Sequence, residues 1–374
     1  MTRDPQDAGA REATAPPGGA RPAPELGSLD RAAVEAVDAH ALVRDVEAQG
    51  HQLEDALWRV EAAGIPRRER TGGLVVCGMG GSAIGGDLAA AAIGERAHAP
   101  LRTVRGFRLG PGVSSDTLVL CASYSGETEE TLACYEAAGA AGAERVVLTT
   151  GGGLAAAARA DGVPVIGVPS GMQPRAAVAY MVVGALECAA LSGVSAPMAT
   201  EVETAAELLR RLAAEWGPDG PDHAPPKRLA RLLHGRVPAA YGVDATAPVA
   251  YRWKSQLNEN AKLPAFSAEL PEADHNEVSG WEGAQGLGPF AAVFLEDRGA
   301  SEPLRRRLEL TAAEVARAVE VVETVAAPGE TALERICSAV MLGDLVSIYL
   351  SVLRGVDPTP VEMIDRIKRA LADS

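Results

Sequence analysis

Lysine is nearly absent from this sequence: only four of its 35 basic residues are Lys, at 227, 254, 262 and 368. Asparagine is scarcer still, with three, at 258, 260 and 276. Two of the Lys and all of the Asn fall between 254 and 276, which marks that stretch as one where chemistry chose the residues. Aromatic residues make up 4% of the chain, so the core is built from Ala, Val and Leu within a hydrophobic fraction of 47%. That fraction excludes a wholly disordered chain, which could not bury enough apolar surface to offset ordering entropy. Basic residues are outnumbered, 35 against 50, for a net charge of −15. A field of that sign does not favour nucleic acid or anionic membrane as the main partner, and leaves room for a local basic pocket. The five Cys, at 77, 121, 134, 188 and 337, form no CxxC pair and no metal-ligand spacing. They read as reduced thiols of a cytoplasmic protein without a metal site. No apolar run follows a basic start, so no secretory signal is expected, and no stretch reads as a membrane span.

What the chain does have is α/β alternation, over a length of 374 residues that suits two domains. Residues 1–27, rich in Ala, Pro, Gly and charge, read as a disordered tail. A first domain is expected over 28–199, a helix and Pro-rich linker over 200–226, and a second domain over 227–374. The pattern is helical from 29 to 63, entered through Ser28 as N-cap. Strands are predicted at 73–77, 117–122, 145–149 and 163–168, with a further one ending near Thr103–Gly106. Helices follow at 83–92, 129–140 and 176–190. After the linker the alternation resumes, with strands at 237–243, 291–295 and 321–325. Helices there are predicted at 247–263, 301–319, 331–353 and 360–371. Such spacing predicts parallel sheets wound with helices on both faces.

Two strand-to-helix turns are chemically loaded. Gly78-Met-Gly-Gly-Ser-Ala-Ile-Gly-Gly86, including Gly80, Gly81 and Ser82, exposes backbone N–H groups at a helix start, where an anion is favoured. Ser123-Tyr-Ser-Gly-Glu-Thr128 groups three hydroxyls, Ser123, Ser125 and Thr128, around a glycine, a set suited to a phosphomonoester. Simple helix capping by Ser125 and Thr128 is the plainer reading of the second turn. The first also matches a loose dinucleotide fingerprint, Gly78-x-Gly80-x-x-Ala83. The acidic residue that fingerprint requires is missing, although Arg105 stands where an NADP 2′-phosphate would need a cation.

The Lys- and Asn-bearing stretch holds a carboxylate and an imidazole. On the predicted helix, Glu259 and Lys262 stand three apart and can face one site, or form an ordinary solvated salt bridge. His275 follows in Glu272-Ala-Asp-His-Asn-Glu277, on a loop, where it completes a general acid–base pair with Glu259 or simply bonds backbone. The other five histidines sit among small or polar residues, in the linker or at a helix end.

The strings Gly78-Met-Gly-Gly-Ser-Ala-Ile-Gly-Gly-Asp87, Ser123-Tyr-Ser-Gly-Glu-Thr128, Pro174-Arg175, Asn258-Glu-Asn-Ala-Lys262, His275-Asn-Glu277 and Arg354-Gly-Val-Asp-Pro358 occur in this order. Together they resemble the bifunctional phosphoglucose/phosphomannose isomerase family, over roughly residues 30 to 374. The resemblance implies two sugar isomerase (SIS) domains and an aldose–ketose isomerase acting on hexose 6-phosphates through a cis-enediolate. It implies that Gly80, Gly81, Ser82, Ser123, Ser125 and Thr128 hold the phosphate, and that Glu259 moves the proton between C1 and C2. Arg175 would steady the enediolate, and His275 would assist ring opening from the second subunit of a homodimer. Lys368, in Asp365-Arg-Ile-Lys-Arg369, would complete the site, with no cofactor. SIS domains also serve as sugar-phosphate sensors, so a non-catalytic regulatory protein is the alternative. An NADP-dependent oxidoreductase is a third reading.

Overall fold

A computed structural model describes residues 27–372, so the expected tail lies outside the described residues except for Gly27. The chain opens with α1 (Arg31–Val37), α2 (Leu42–Glu47) and α3 (Gln49–Ala62), where the periodicity predicts one helical stretch. Asp30 rather than Ser28 caps α1, its carboxylate accepting from the Ala33 N–H at 2.9 Å. The break after α1 has a local cause. The buried Asp38 carboxylate accepts from the Leu42 and Val43 N–H groups at 3.0 and 2.8 Å, which starts a new helix there.

The first half then runs β1 (Leu74–Cys77), α4 (Gly80–Ile93), β2 (Leu101–Val104), β3 (Leu118–Ala122), α5 (Glu129–Ala140), β4 (Glu144–Thr149), α6 (Gly152–Asp161), β5 (Val165–Gly167), α7 (Val178–Leu191) and α8 (Ala199–Trp216). The second half runs α9 (Pro225–Leu233), β6 (Val237–Val243), α10 (Ala247–Glu259), β7 (Phe266–Leu270), β8 (Phe290–Glu296), α11 (Glu302–Val315), β9 (Val321–Ala326), α12 (Ala332–Arg354) and α13 (Glu362–Ala372).

All strands pair in parallel, in a five-stranded sheet of order β2-β1-β3-β4-β5 and a four-stranded sheet of order β7-β6-β8-β9. Every residue of β1 and β3 is buried, as their continuous apolar runs require. In each sheet the first strand lies between its second and third, so winding reverses beside it and opens a crevice at the carboxyl ends. The fold is α/β, two parallel sheets flanked by helices.

One apolar cluster runs through both halves, from Leu74 and Val76 to Val293 and Leu295, with α12 through its middle. α12 starts in a capping box, with Thr331 Oγ1 accepting from Glu334 N–H and Glu334 accepting from Thr331 N–H, and stops at left-handed Gly355. Contrary to expectation, two helical stretches among the described residues are long and apolar enough to cross a membrane, Pro174–Leu191 and Ala332–Arg354. They are 83% and 89% buried inside the protein, which accounts for their composition.

The sequence reading placed no helix at α9 and no strand at β7. Pro225 and Pro226 occupy the first turn of α9, where a missing N–H costs nothing. The Gly217–Pro226 connection is held down: the buried Lys227 ammonium donates to the Pro218 and Gly220 carbonyls at 2.9 and 2.8 Å.

Candidate active site

The crevice of the first sheet opens between β1 and β3, where Cys77, the last residue of β1, is in register with Cys121, one before the last of β3. The two loaded turns therefore leave the sheet side by side. α4 starts at Gly80, inside the glycine turn rather than after it, so the Gly80 and Gly81 N–H groups belong to its first turn and lack helical acceptors. The second turn reaches across, its Tyr124 N–H donating to Ser82 Oγ at 3.3 Å. Ser123 and Thr128 hydroxyls lie 2.8 Å apart, and Ser123 Oγ accepts from the Gly126 N–H at 3.1 Å. Ser125 is exposed, its Oγ accepting from the Glu127 N–H at 3.2 Å. The turn depends on Gly126, which has φ +72 and where a Cβ would stand 1.9 Å from the Gly151 carbonyl oxygen. Hydroxyls and amides gathered at a helix N-terminus make an anion cradle.

Arg175 lies against this cradle; a Cβ on Gly81 would meet its Cα at 3.1 Å. Its buried guanidinium is held on several sides. Nε donates to Asn260 Oδ1 at 2.6 Å, and Nη2 to the Pro358 and Thr359 carbonyls at 2.8 and 2.9 Å. Nη1 faces Glu259 Oε2 at 3.4 Å, with side-chain exposures of 5% for Arg175 and 31% for Glu259. Burial pushes the Arg175 guanidinium below its usual range, against the pull of Glu259.

Beneath Arg175 lies a charged node. The buried Asp344 carboxylate accepts from Arg252 Nε and Nη2 at 3.1 and 2.8 Å, from Gln256 at 3.0 Å and from Gln49 at 2.7 Å. Arg252 Nη2 also donates to the Arg175 carbonyl at 2.9 Å. This node ties α3, α10 and α12 to the turn that carries Arg175.

The predicted helix at 247–263 ends earlier, at Glu259. Lys262 has left-handed φ +52, and its ammonium bonds the Glu259 carbonyl and, at 3.0 Å, the Pro358 carbonyl. The salt-bridge reading of Glu259 and Lys262 is therefore wrong: the lysine takes the backbone oxygen, and the carboxylate faces Arg175.

Glu259 joins two hollows. A cavity of about 50 Å³ is lined by Gly80, Gly81, Arg175, Tyr251, Ser255 and Glu259 among others. A groove of about 700 Å³ is lined by Glu259, Lys262, Asp357 and residues at the start of α13. A larger hollow of about 980 Å³ opens between α3, α7 and α8, but its five glutamates suit no phosphate, so chemistry rather than size locates the site.

Of the sequence-predicted residues, Gly80, Gly81, Arg175 and Glu259 line one cavity, and Ser82 is bonded to the turn that carries Ser123, Ser125 and Thr128. His275 and Lys368 do not line either hollow at Glu259. His275 is exposed on the turn after the edge strand β7, and Lys368 is on α13, where residues 362–371 are all exposed. Arg105 is engaged by the Asp87 carboxylate, which leaves the dinucleotide reading without its cation. Asn260, Arg252, Asp344 and the Pro358–Thr359 carbonyls were not singled out as site residues from sequence. Asp344 carried a signal nonetheless, as the sole charge between Arg335 and Arg354 in an apolar helix.

The bacterial phospho-glucose isomerase C-terminal SIS domain profile matches residues 222–371. The chain is 38% identical over 303 residues to a bifunctional phosphoglucose/phosphomannose isomerase from Caldicellulosiruptor bescii, covering 80% of this chain and 89% of the relative. It is 36% identical to one from Aquifex aeolicus, covering 80% and 90%. A glucose-6-phosphate isomerase like protein from Thermus thermophilus, 17% identical, shares the fold with a TM-score of 0.61 over 92% of this chain and 99% of that one. At this identity and coverage, the chain belongs to the bifunctional phosphoglucose/phosphomannose isomerase family.

Proposed function

We propose that the protein is an aldose–ketose isomerase interconverting fructose 6-phosphate with glucose 6-phosphate, and with mannose 6-phosphate. The carrying observation is the cavity that runs from the Gly80–Gly81 amides to the facing Arg175 and Glu259 side chains. A phosphate in the cradle of Gly80, Gly81, Ser82, Ser123, Ser125 and Thr128 directs the sugar's other end along that cavity. Glu259 takes the proton from C1 of the open-chain ketose, and the electron pair moves into a C1–C2 enediolate. The charge gathers on the C2 oxygen, opposite the guanidinium of Arg175. The O1 proton passes to the C2 oxygen, and Glu259 returns its proton to C2 as C1 becomes the aldehyde. The face of C2 that receives the proton decides glucose or mannose.

The proposal includes a homodimer with a shared site. Its support is that His275 stands exposed outside the groove of its own chain, and that α13 exposes Met363 and Ile367 at 69% and 58%. A second copy would cover α13, bring His275 to ring opening and let Lys368 complete the site. The chain would divide into a tail at 1–27, SIS units at 28–199 and 227–374, and a connection at 200–226. The net charge of −15 supports a protein without nucleic-acid or membrane partners, and five free, buried cysteines support a cytoplasmic one.

Incubating the protein with fructose 6-phosphate in D₂O and following proton NMR tests the reading. Aldose 6-phosphate carrying deuterium at C2 is the expected product. Saturable binding with neither product nor exchange would favour the regulatory sugar-phosphate-binding alternative. Mixing Glu259→Gln and His275→Ala proteins tests the shared site: activity returns if subunits complement each other, and stays absent if each site is built from one chain.

A further inference from the structure

Lys262 has no part in the chemistry assigned so far, yet three observations single it out. Its backbone is left-handed at φ +52, and among the described residues the other positive-φ positions are glycine apart from Ala41 and Asp244. A Cβ makes that conformation costly, and a chain with 40 glycines had the cheaper residue to hand. It is also one of only four lysines, in a chain that elsewhere meets its need for cations with arginine. Third, its ammonium is already oriented by the Glu259 and Pro358 carbonyls, and it lines the groove beside Glu259. An ammonium has three donors, so two carbonyls leave one for a ligand. Strain kept beside a carboxylate in a groove gives reason to look for a function there.

We propose that Lys262 is a further catalytic residue, whose remaining N–H donates to a sugar oxygen on the reacting carbons and shares the enediolate charge with Arg175. Burial and the nearby Arg175 push the ammonium below the usual lysine range, so it meets an oxyanion poorly solvated and with more to gain. Arginine would not serve equally, because its planar fork cannot take two carbonyls and a ligand around one nitrogen.

This inference rests on the isomerase reading, and Lys262→Gly tests it, since glycine removes the amine and relaxes the backbone together. The expected result is a kcat lowered by about 100-fold, the scale of one lost oxyanion donor. KM and melting temperature stay near those of the parent, and added propylammonium restores much of the lost rate. A kcat close to the parent's, or a loss that propylammonium leaves in place, overturns the inference and makes Lys262 a clamp on the Pro358 loop. A parent that does not isomerise fructose 6-phosphate defeats the isomerase reading instead, so the two failures are distinguishable.

Discussion

At the carboxyl ends of β1 and β3 the chain offers hydroxyls and amides; at the equivalent ends of β6 and β8 it offers carboxylates. Both crevices arise from the same strand order, so topology alone would make either one a ligand site. In the second, Thr246 Oγ1 is consumed internally, accepting from Val243 N–H at 2.9 Å and donating to the Leu295 carbonyl at 2.7 Å. Pro248 removes a donor from the start of α10. Asp297 accepts from Arg335 Nε and Gly299 N–H at 3.0 and 2.9 Å, so its pairing is within the protein. Burial, then the Asp297 and Glu95 carboxylates, push the Asp244 carboxyl up. A phosphate would meet repulsion there and donors in the first crevice. The fold supplies two sites in principle, and side-chain chemistry selects one.

The sharpest break in this comparison is Glu259→Gln, expected to lower kcat by about 10³-fold, within the range for a lost general base, with KM near the parent's. Steady-state kinetics checks it, and an unchanged kcat removes Glu259 from the mechanism. Gly126→Ala comes next. Its Cβ meets a backbone oxygen at 1.9 Å, so the turn must deform, and KM for the sugar phosphate should rise by more than tenfold with a lowered melting temperature.

A paired test of the two crevices is finer. Ser123→Ala should raise KM by about tenfold, the worth of one hydrogen bond to a charged group, with a smaller cost in unfolding because the Gly126 N–H keeps the Ser123 carbonyl at 3.2 Å. Thr246→Ala should leave KM alone and cost about 1–3 kcal/mol in denaturant unfolding, because buried backbone groups lose their partner. The reverse pattern would assign the phosphate to the second crevice.

The smallest effect is expected of Asp244→Asn. With its carboxyl raised in the folded state, the charged form is what folding disfavours, so the penalty is absent well below about pH 3.9 and grows as pH rises through the folded value. The variant should match the parent near about pH 3 and melt slightly higher near about pH 7. Asp244 is exposed, and solvent screening keeps the gain small.

Much of the first crevice was legible because its signals are local. Apolar runs such as Leu74–Cys77 end in glycine or serine turns and pass directly into helices, so strand, turn and helix can be read within a few neighbouring residues. β7 was not legible: Phe-Ser-Ala-Glu-Leu is a mixed edge strand with an exposed start. α9 was hidden because paired prolines read as a linker as readily as a helix start. The Arg175 setting was beyond local reading altogether, since Asn260 and Pro358 reach it from 85 and 183 residues away. The resemblance carried what the residues alone could not, the separate roles of Glu259 as proton carrier and His275 in ring opening. It also implied that His275 acts from a second subunit, and within one chain His275 lines neither hollow at Glu259.

A crystal structure with fructose 6-phosphate bound tests the central claim most directly. The account predicts the phosphate between the Gly80–Ser82 and Ser123–Thr128 turns, with C1 and C2 beside Glu259 and Arg175. A phosphate bound at Thr246 and Asp297, or a sugar whose reacting carbons lie away from Glu259, would contradict it.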